Sequence, residues 1–178
     1  TLSHPHGQIY AYPFVPPVIG REAAMMEAHL ERTSECLLCT LARDEREDGR
    51  RLLDRNDRWS AFVPPFARYP YEVHLVATRH CGTLPELSAS ERFDLARILH
   101  ATVRAYDRLF ERPFPYFMAI HQRPAGADPR AYSLHVEFYP PLRTATKLKY
   151  LAGSEAGAGM FINDTLAEEK AAELRSVW

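Results

Sequence analysis

Cysteine is scarce in this 178-residue chain and its count is odd: Cys36, Cys39 and Cys81. Three thiols cannot all pair with one another, which argues against a disulfide framework. Net charge is also nearly absent, at −1 with the histidines neutral, and Lys and Arg are scattered without forming a basic block. That distribution lacks the electrostatic footprint of a nucleic-acid binder and favours a small-molecule site. No apolar run reaches the roughly 18 residues that a membrane helix needs, and no charged segment followed by an apolar run resembles a signal peptide. We therefore expect a cytoplasmic protein with no membrane partner. There is no short-period repeat and no low-complexity segment. The first residue is Thr1 and not Met, so we expect a start that has been processed or trimmed.

What is present is a chain that is 46% apolar, long enough for one domain with a real core plus extensions. Residues 3–12 are expected to form a strand, ended by the proline-rich YPFVPPV, which hands over to a helix in REAAMMEAHLER. A break at Thr33 to Glu35 precedes CLLC. The middle reads strand, strand, helix: WSAFVP, EVHLVAT, then a helix from about Ser88 to Phe110. Ser88 and Glu91 have capping-box spacing, and Leu95, Ile98, Leu99, Thr102, Val103 and Tyr106 share one face. PYFMAIH and AYSLHVEFY are two further strands around a turn-rich loop. LKYLAGSEAGAGMFIND is irregular, and the tail TLAEEKAAELRSV is helical, with Asp164 or Thr165 as its expected cap. This order fits an α+β fold, a mostly antiparallel sheet with helices on one face.

Side chains two apart on a strand point the same way, so His4, His6 and Gln8 would share a surface. An imidazole can attack phosphorus when its far nitrogen is held by an acceptor, and His6, central in the triplet, is the candidate nucleophile. Gln8 could donate its amide N–H groups to phosphate oxygens that gain charge during transfer. His4 would be a structural partner or a metal ligand. The alternative is a histidine-containing tail, against which the unbroken continuation into QIYAY counts.

Cys36, Cys39, His80 and His135 supply the two thiolates and two imidazoles that suit tetrahedral zinc. The alternative is a pair of reduced cysteines beside unrelated histidines. A redox CxxC is disfavoured, because no following helix and βαβ context is expected to depress one thiol. Glu22, His121, His135 and Glu137 form a second, N/O set for iron or zinc, and His135 cannot serve both. Each could instead be an ordinary hydrogen-bonded strand residue. KYLAGSE, residues 149–155, groups one cation, one aromatic ring and one carboxylate around a tight backbone.

HPHGQ at 4–8, FVPPFARYPYEVHLVATRH at 62–80, FPYFMAIHQRP at 114–124, LHVEFYPP at 134–141 and KYLAGSEAGAGMF at 149–161 together resemble the galactose-1-phosphate uridylyltransferase family, a branch of the histidine triad superfamily. The likeness runs over essentially the whole chain. It implies two histidine triad-like half-domains in tandem, of which this chain is the second. Residues 1–20 would be an active-site strand and linker of the preceding half-domain, and 21–178 the C-terminal domain. The resemblance places the uridylyl nucleophile on His6 and phosphate holding on Gln8. The implied reaction is ping-pong: UDP-glucose gives its uridylyl group to His6, and galactose 1-phosphate takes it up. Lys149, Tyr150, Ala152, Ser154 and Glu155 would contact the UDP-sugar across a dimer, with Glu155 as the sugar-binding carboxylate.

The family's first half-domain, with its own zinc site of two cysteines and two histidines, lies outside this sequence, and His4 resembles the last ligand of that site. A partner polypeptide carrying that half is implied, unless the sequence is a fragment. The family's second metal site often uses one Glu and three His; its counterparts here are Glu22, His121, His135 and Glu137, the last one acidic. Cys36, Cys39, His80 and His135 repeat the first-half pattern and are favoured as zinc ligands. Competing readings are a catalytically incomplete nucleotide-binding or scaffold subunit and another nucleotidyl transferase or hydrolase of the superfamily.

Overall fold

A computed structural model describes residues 6–178. Helix α1, Pro17–Thr33, begins with Pro17 in its first turn, where a missing N–H costs nothing, and ends at Ser34 in the left-handed region with φ of 61°. The expected break at 33–35 is this cap. Helix α2, Leu37–Asp48, follows at once and ends at Gly49, whose φ of 73° a side chain would resist. Strand β1, Leu52–Arg55, leads through a tight turn into β2, Trp59–Phe62, and β3, Val73–Ala77. Helix α3, Ala89–Leu109, carries the full capping box: Ser88 Oγ accepts from the Glu91 N–H at 3.2 Å, and Glu91 accepts from the Ser88 N–H at 2.8 Å. Strands β4, Phe117–His121, and β5, His135–Tyr139, complete the sheet, followed by the short α4, Gly153–Ala158, and α5, Ala167–Val177.

The five strands are ordered β1-β2-β3-β5-β4, every neighbouring pair antiparallel. Alternate residues Trp59, Ala61, Leu75, Val136 and Phe138 turn to one face, where α3 and α5 supply Leu95, Ile98, Tyr106 and Leu174. Burying each such side chain is worth about 1.5–3 kcal/mol, so this face holds the main core. Strands β2 and β3 are buried at every position, which requires cover on the second face as well. There Phe62 and Val76 meet Ala23 and Met26 of α1 and Leu38 and Ala42 of α2. The α+β, antiparallel reading is realised, with this smaller second layer added to the one-sided arrangement the sequence suggested.

Three local expectations are corrected. Residues 6–12 form no strand and are exposed, because no described strand offers them ladder partners; residues 3–5 of that expected strand lie outside the described residues. Helix α5 starts at Ala167 after Leu166 with no side-chain cap: Asp164 pairs with Arg143, and Thr165 Oγ1 donates to Asn163 Oδ1 at 2.8 Å. CLLC opens a helix, since Cys36 is the N-cap of α2 and its Sγ accepts from the Cys39 N–H at 3.3 Å.

Candidate functional site

The second face of the sheet gathers the polar chemistry. In the ladders His74 lies opposite Glu137, Val76 opposite His135, and His121 opposite His135, so pairing alone directs His74, His135, Glu137 and His121 to one side. Helix α1 passes over that side and contributes Glu22. Its Oε2 lies 2.9 Å from His121 Nδ1 and 4.0 Å from His135 Nε2, while Glu137 Oε1 lies 3.4 Å from His135 Nε2 and Glu137 Oε2 lies 3.8 Å from His121 Nε2. One ligand atom from each of the four residues falls within 4.8 Å of the others.

This donor set fits a divalent cation on three grounds. Two imidazoles and two carboxylates are the N/O chemistry of iron or zinc. The His135 Nδ1–H donates to the Ser133 carbonyl oxygen at 2.9 Å, which leaves Nε2 as a lone pair aimed into the cluster. Glu22, Glu137 and the adjoining Glu72 carry three negative charges against the single guanidinium of Arg68 that contacts Glu72 and Glu137, a deficit of two that a divalent ion would offset. Burial pushes the Glu137 carboxyl up, but the imidazoles of His74, His135 and His121 around it outweigh that and hold it well below the usual range.

Cys36, Cys39 and His80 form a separate half-buried group. The His80 Nε2–H donates to the Pro129 carbonyl oxygen at 2.7 Å, and its Nδ1 lies 3.3 Å from Cys39 Sγ. Hydrogen bonding from Cys39, and more weakly from His80, draws the Cys36 thiol down to about 6, while the thiol of Cys39, sharing a proton with Cys36, is pushed up. The donor set of two sulfurs and one oriented imidazole fits zinc. The four-residue set expected from sequence is corrected in one respect: His135 sits in the Glu22 cluster. The strand pairing of β5 with β4 places it against His121, a relationship that cysteine spacing cannot reveal. The helix after CLLC also removes part of the argument against a redox pair, although the sheet here is antiparallel and contains no βαβ unit.

The 149–155 segment is only partly presented to solvent. Tyr150 is 84% exposed, and Ala152 and Ser154 are exposed, but Glu155 turns inward. Its carboxylate meets Lys149 Nζ at 2.9 Å and accepts from the N–H groups of Ala152 at 2.7 Å and Ile162 at 3.1 Å. Lys149 is the main cause of its carboxyl being held down to about 2, with those N–H groups adding to it. A shallow cavity of about 180 Å³ opens there, lined by Arg143, Lys149, Tyr150, Glu155 and Asp164. His6 and Gln8 are exposed on the irregular N-terminal segment, and His4 lies outside the described residues.

Sequence reasoning missed Arg68, Glu72 and His74, which adjoin the Glu22 cluster. The available signal was a charged residue and an imidazole, Glu72 and His74, at alternate positions beside an otherwise apolar strand.

A family model described as galactose-1-phosphate uridyl transferase, C-terminal domain, matches residues 20–178. The galactose-1-phosphate uridylyltransferase of Thermotoga maritima is 40% identical over 177 residues, covering 98% of this chain and 55% of that protein. A solved uridylyltransferase superposes with a TM-score of 0.92 at 39% identity, over 99% of this chain and 55% of that one. A zinc-bound histidine triad family protein from Mycobacterium smegmatis superposes with a TM-score of 0.55 at 14% identity, over 80% of this chain and 91% of that one, which shows a shared fold. The chain spans about half the length of the curated relatives it matches. It belongs to the galactose-1-phosphate uridyl transferase family, corresponding to the C-terminal domain with a short segment before it.

Proposed function

We propose that this chain is the C-terminal half of a uridylyltransferase that exchanges UMP between UDP-glucose and galactose 1-phosphate. The observation that carries this reading is the family match over residues 20–178, together with 40% identity over 177 residues to a uridylyltransferase of which this chain covers 55%. Residues 4–8, HPHGQ, precede the matched domain and supply the reacting group.

His6 attacks the α-phosphorus of UDP-glucose, the bond from that phosphorus to the bridging oxygen breaks, and glucose 1-phosphate leaves with the electron pair. A phosphate oxygen of galactose 1-phosphate then attacks the same phosphorus, breaking the P–N bond and returning the pair to His6. Gln8 donates N–H groups to the non-bridging oxygens in both steps. Lys149, Tyr150, Ala152, Ser154 and Glu155 contact the UDP-sugar across a dimer interface. Cys36, Cys39 and His80 hold zinc, and Glu22, His121, His135 and Glu137 hold iron or zinc; both ions tie strands to helices and stand apart from the transfer itself. The N-terminal half completes the pocket, and we place the assembly in the cytoplasm.

Co-expression with an N-terminal half from a relative, followed by purification and incubation with UDP-glucose radiolabelled in its uridylyl group, tests this. A stable complex that acquires label in the wild type and none in His6→Ala supports it. Full transfer activity from this chain alone sinks the half-enzyme reading, and a complex that binds UDP-glucose without ever labelling His6 identifies a silent nucleotide-binding subunit.

A further inference from the structure

The Glu137 carboxylate is held from its buried side by residues that no part of the ligand set explains. His74 sits directly across the β3–β5 ladder from it and is 1% exposed. The His74 Nε2 lies 2.9 Å from Glu72 Oε1 and 3.5 Å from Glu137 Oε1. Glu72 is fully buried, and its other oxygen is fixed by the backbone N–H groups of Arg68 at 2.7 Å and Tyr69 at 3.1 Å. Arg68 in turn donates to Glu137 Oε2 at 3.0 Å and to the Tyr139 hydroxyl at 2.8 Å.

Only one tautomer of His74 serves this arrangement. A carboxylate offers acceptors alone, so Nε2 must carry the hydrogen. Nδ1 is then a lone pair, and it is buried with no hydrogen-bond partner among the described residues. The rings of Phe62 and Phe66 pack beside the imidazole at centroid distances of 6.3 and 5.8 Å. A strand position lined by aromatic rings would be filled at lower cost by an apolar side chain of similar volume. An imidazole with one nitrogen left unpartnered therefore points to a role for the other nitrogen.

We propose that Glu72 and His74 are positioning residues for the metal cluster: they orient the Glu137 carboxylate, the acidic member of the ligand set, toward His121, His135 and Glu22. This rests on the reading that the cluster binds a divalent cation. Glu72 accepts the His74 Nε2–H and fixes the ring, which then stands 3.5 Å from Glu137 Oε1 and bounds that carboxylate on its buried side, facing it toward the cluster. Arg68 holds the second oxygen. A ligand bonded at one oxygen and confined at the other by an ordered ring pays less ordering entropy when the ion arrives.

The test is cobalt(II) titration of the chain in wild-type, His74→Leu, His74→Gln and Glu72→Gln forms. Cobalt bound by Cys36 and Cys39 shows thiolate-to-metal charge transfer, whereas cobalt in the Glu22 cluster shows d–d bands alone, so the two sites are read separately. Affinity at the cluster is expected to fall about ten- to a hundredfold in His74→Leu, the usual loss for an outer-shell partner, with the thiolate site unchanged. His74→Gln, whose amide N–H can reach in place of Nε2–H, is expected to recover part of it. If His74→Leu does not fold, judged by circular dichroism, Glu72→Gln carries the same expectation with a smaller loss. A folded His74→Leu, or in its absence Glu72→Gln, that binds cobalt as tightly as wild type overturns the positioning role and leaves the metal reading intact. A wild-type chain with no d–d event apart from the thiolate site overturns the metal reading, and this proposal with it.

Discussion

His121 and His135 stand directly opposite each other in the β4–β5 ladder, their ring centroids 4.7 Å apart and their planes at 62°. Two imidazoles this close, flanked by Glu22 and Glu137, are more readily satisfied by one shared cation than by two protons, because like charges at such a distance repel.

His121→Ala and His135→Ala are each expected to remove one metal equivalent per chain while the zinc on Cys36 and Cys39 stays. Elemental analysis of the purified variants checks this. Wild-type thermal stability should fall on chelation, since an ion held at a hundred times its dissociation constant adds about 2.7 kcal/mol to the native state, and both variants should respond less.

Cys36→Ser is expected to abolish zinc at the second site and to lower the melting temperature. In the metal-free, reduced protein, Cys36 should be alkylated ahead of Cys39 and Cys81, its rate rising through pH of about 6. Burial pushes the Cys81 thiol up to about 11, so that residue should stay unreactive near neutrality. Peptide mapping after a pH series of iodoacetamide pulses reads all three, and added zinc should suppress the Cys36 signal.

Glu91 ties the start of α3 to Arg79, whose guanidinium lies 2.6 Å away and holds the Glu91 carboxyl down to about 2, with the Ser88 groups adding to it. A carboxyl lowered in the folded state stabilises fully above its ordinary value of 4.5 and loses that contribution as pH falls toward 2. Glu91→Gln should therefore destabilise at pH 7 and flatten the acid limb of stability between those values. Urea midpoints across pH 2 to 7 measure it. Ser88→Ala, which removes the Oγ acceptor and keeps the backbone N–H bond to Glu91, should cost about 1 kcal/mol at pH 7.

Lys149→Met leaves the buried Glu155 carboxylate with its two backbone N–H partners and no cation. The 149–162 segment should open more readily, seen as faster proteolysis and faster amide exchange at Ala152 and Ile162. Exchange in α3 should be unchanged, because that helix packs in the separate core.

Patterns local to the chain carried much of this. Ser88 and Glu91 announced the start of α3 because a capping box is made within four residues, and EVHLVAT and AYSLHVEFY were legible as the segments of β3 and β5, the second set off from PYFMAIH by a turn-rich loop. The five motif blocks pointed to the family for the same reason. The short strand at Leu52–Arg55 and the helix after CLLC escaped notice, the first being too brief for a clear period and the second having Cys36 as its cap.

The amino-acid sequence by itself determined the α+β class, the capped central helix, the family and the residue types available for metal binding. Only the tertiary structure decided which of those residues meet. His135 joins Glu22 and His121 and not the cysteines, because ladder register sets its neighbours across β4, β5 and α1. His74 acquires Glu72 and Glu137 as partners in the same way. Such contacts span up to 113 residues of chain, as between Glu22 and His135, and spacing along a sequence carries no information about them until the sheet has closed.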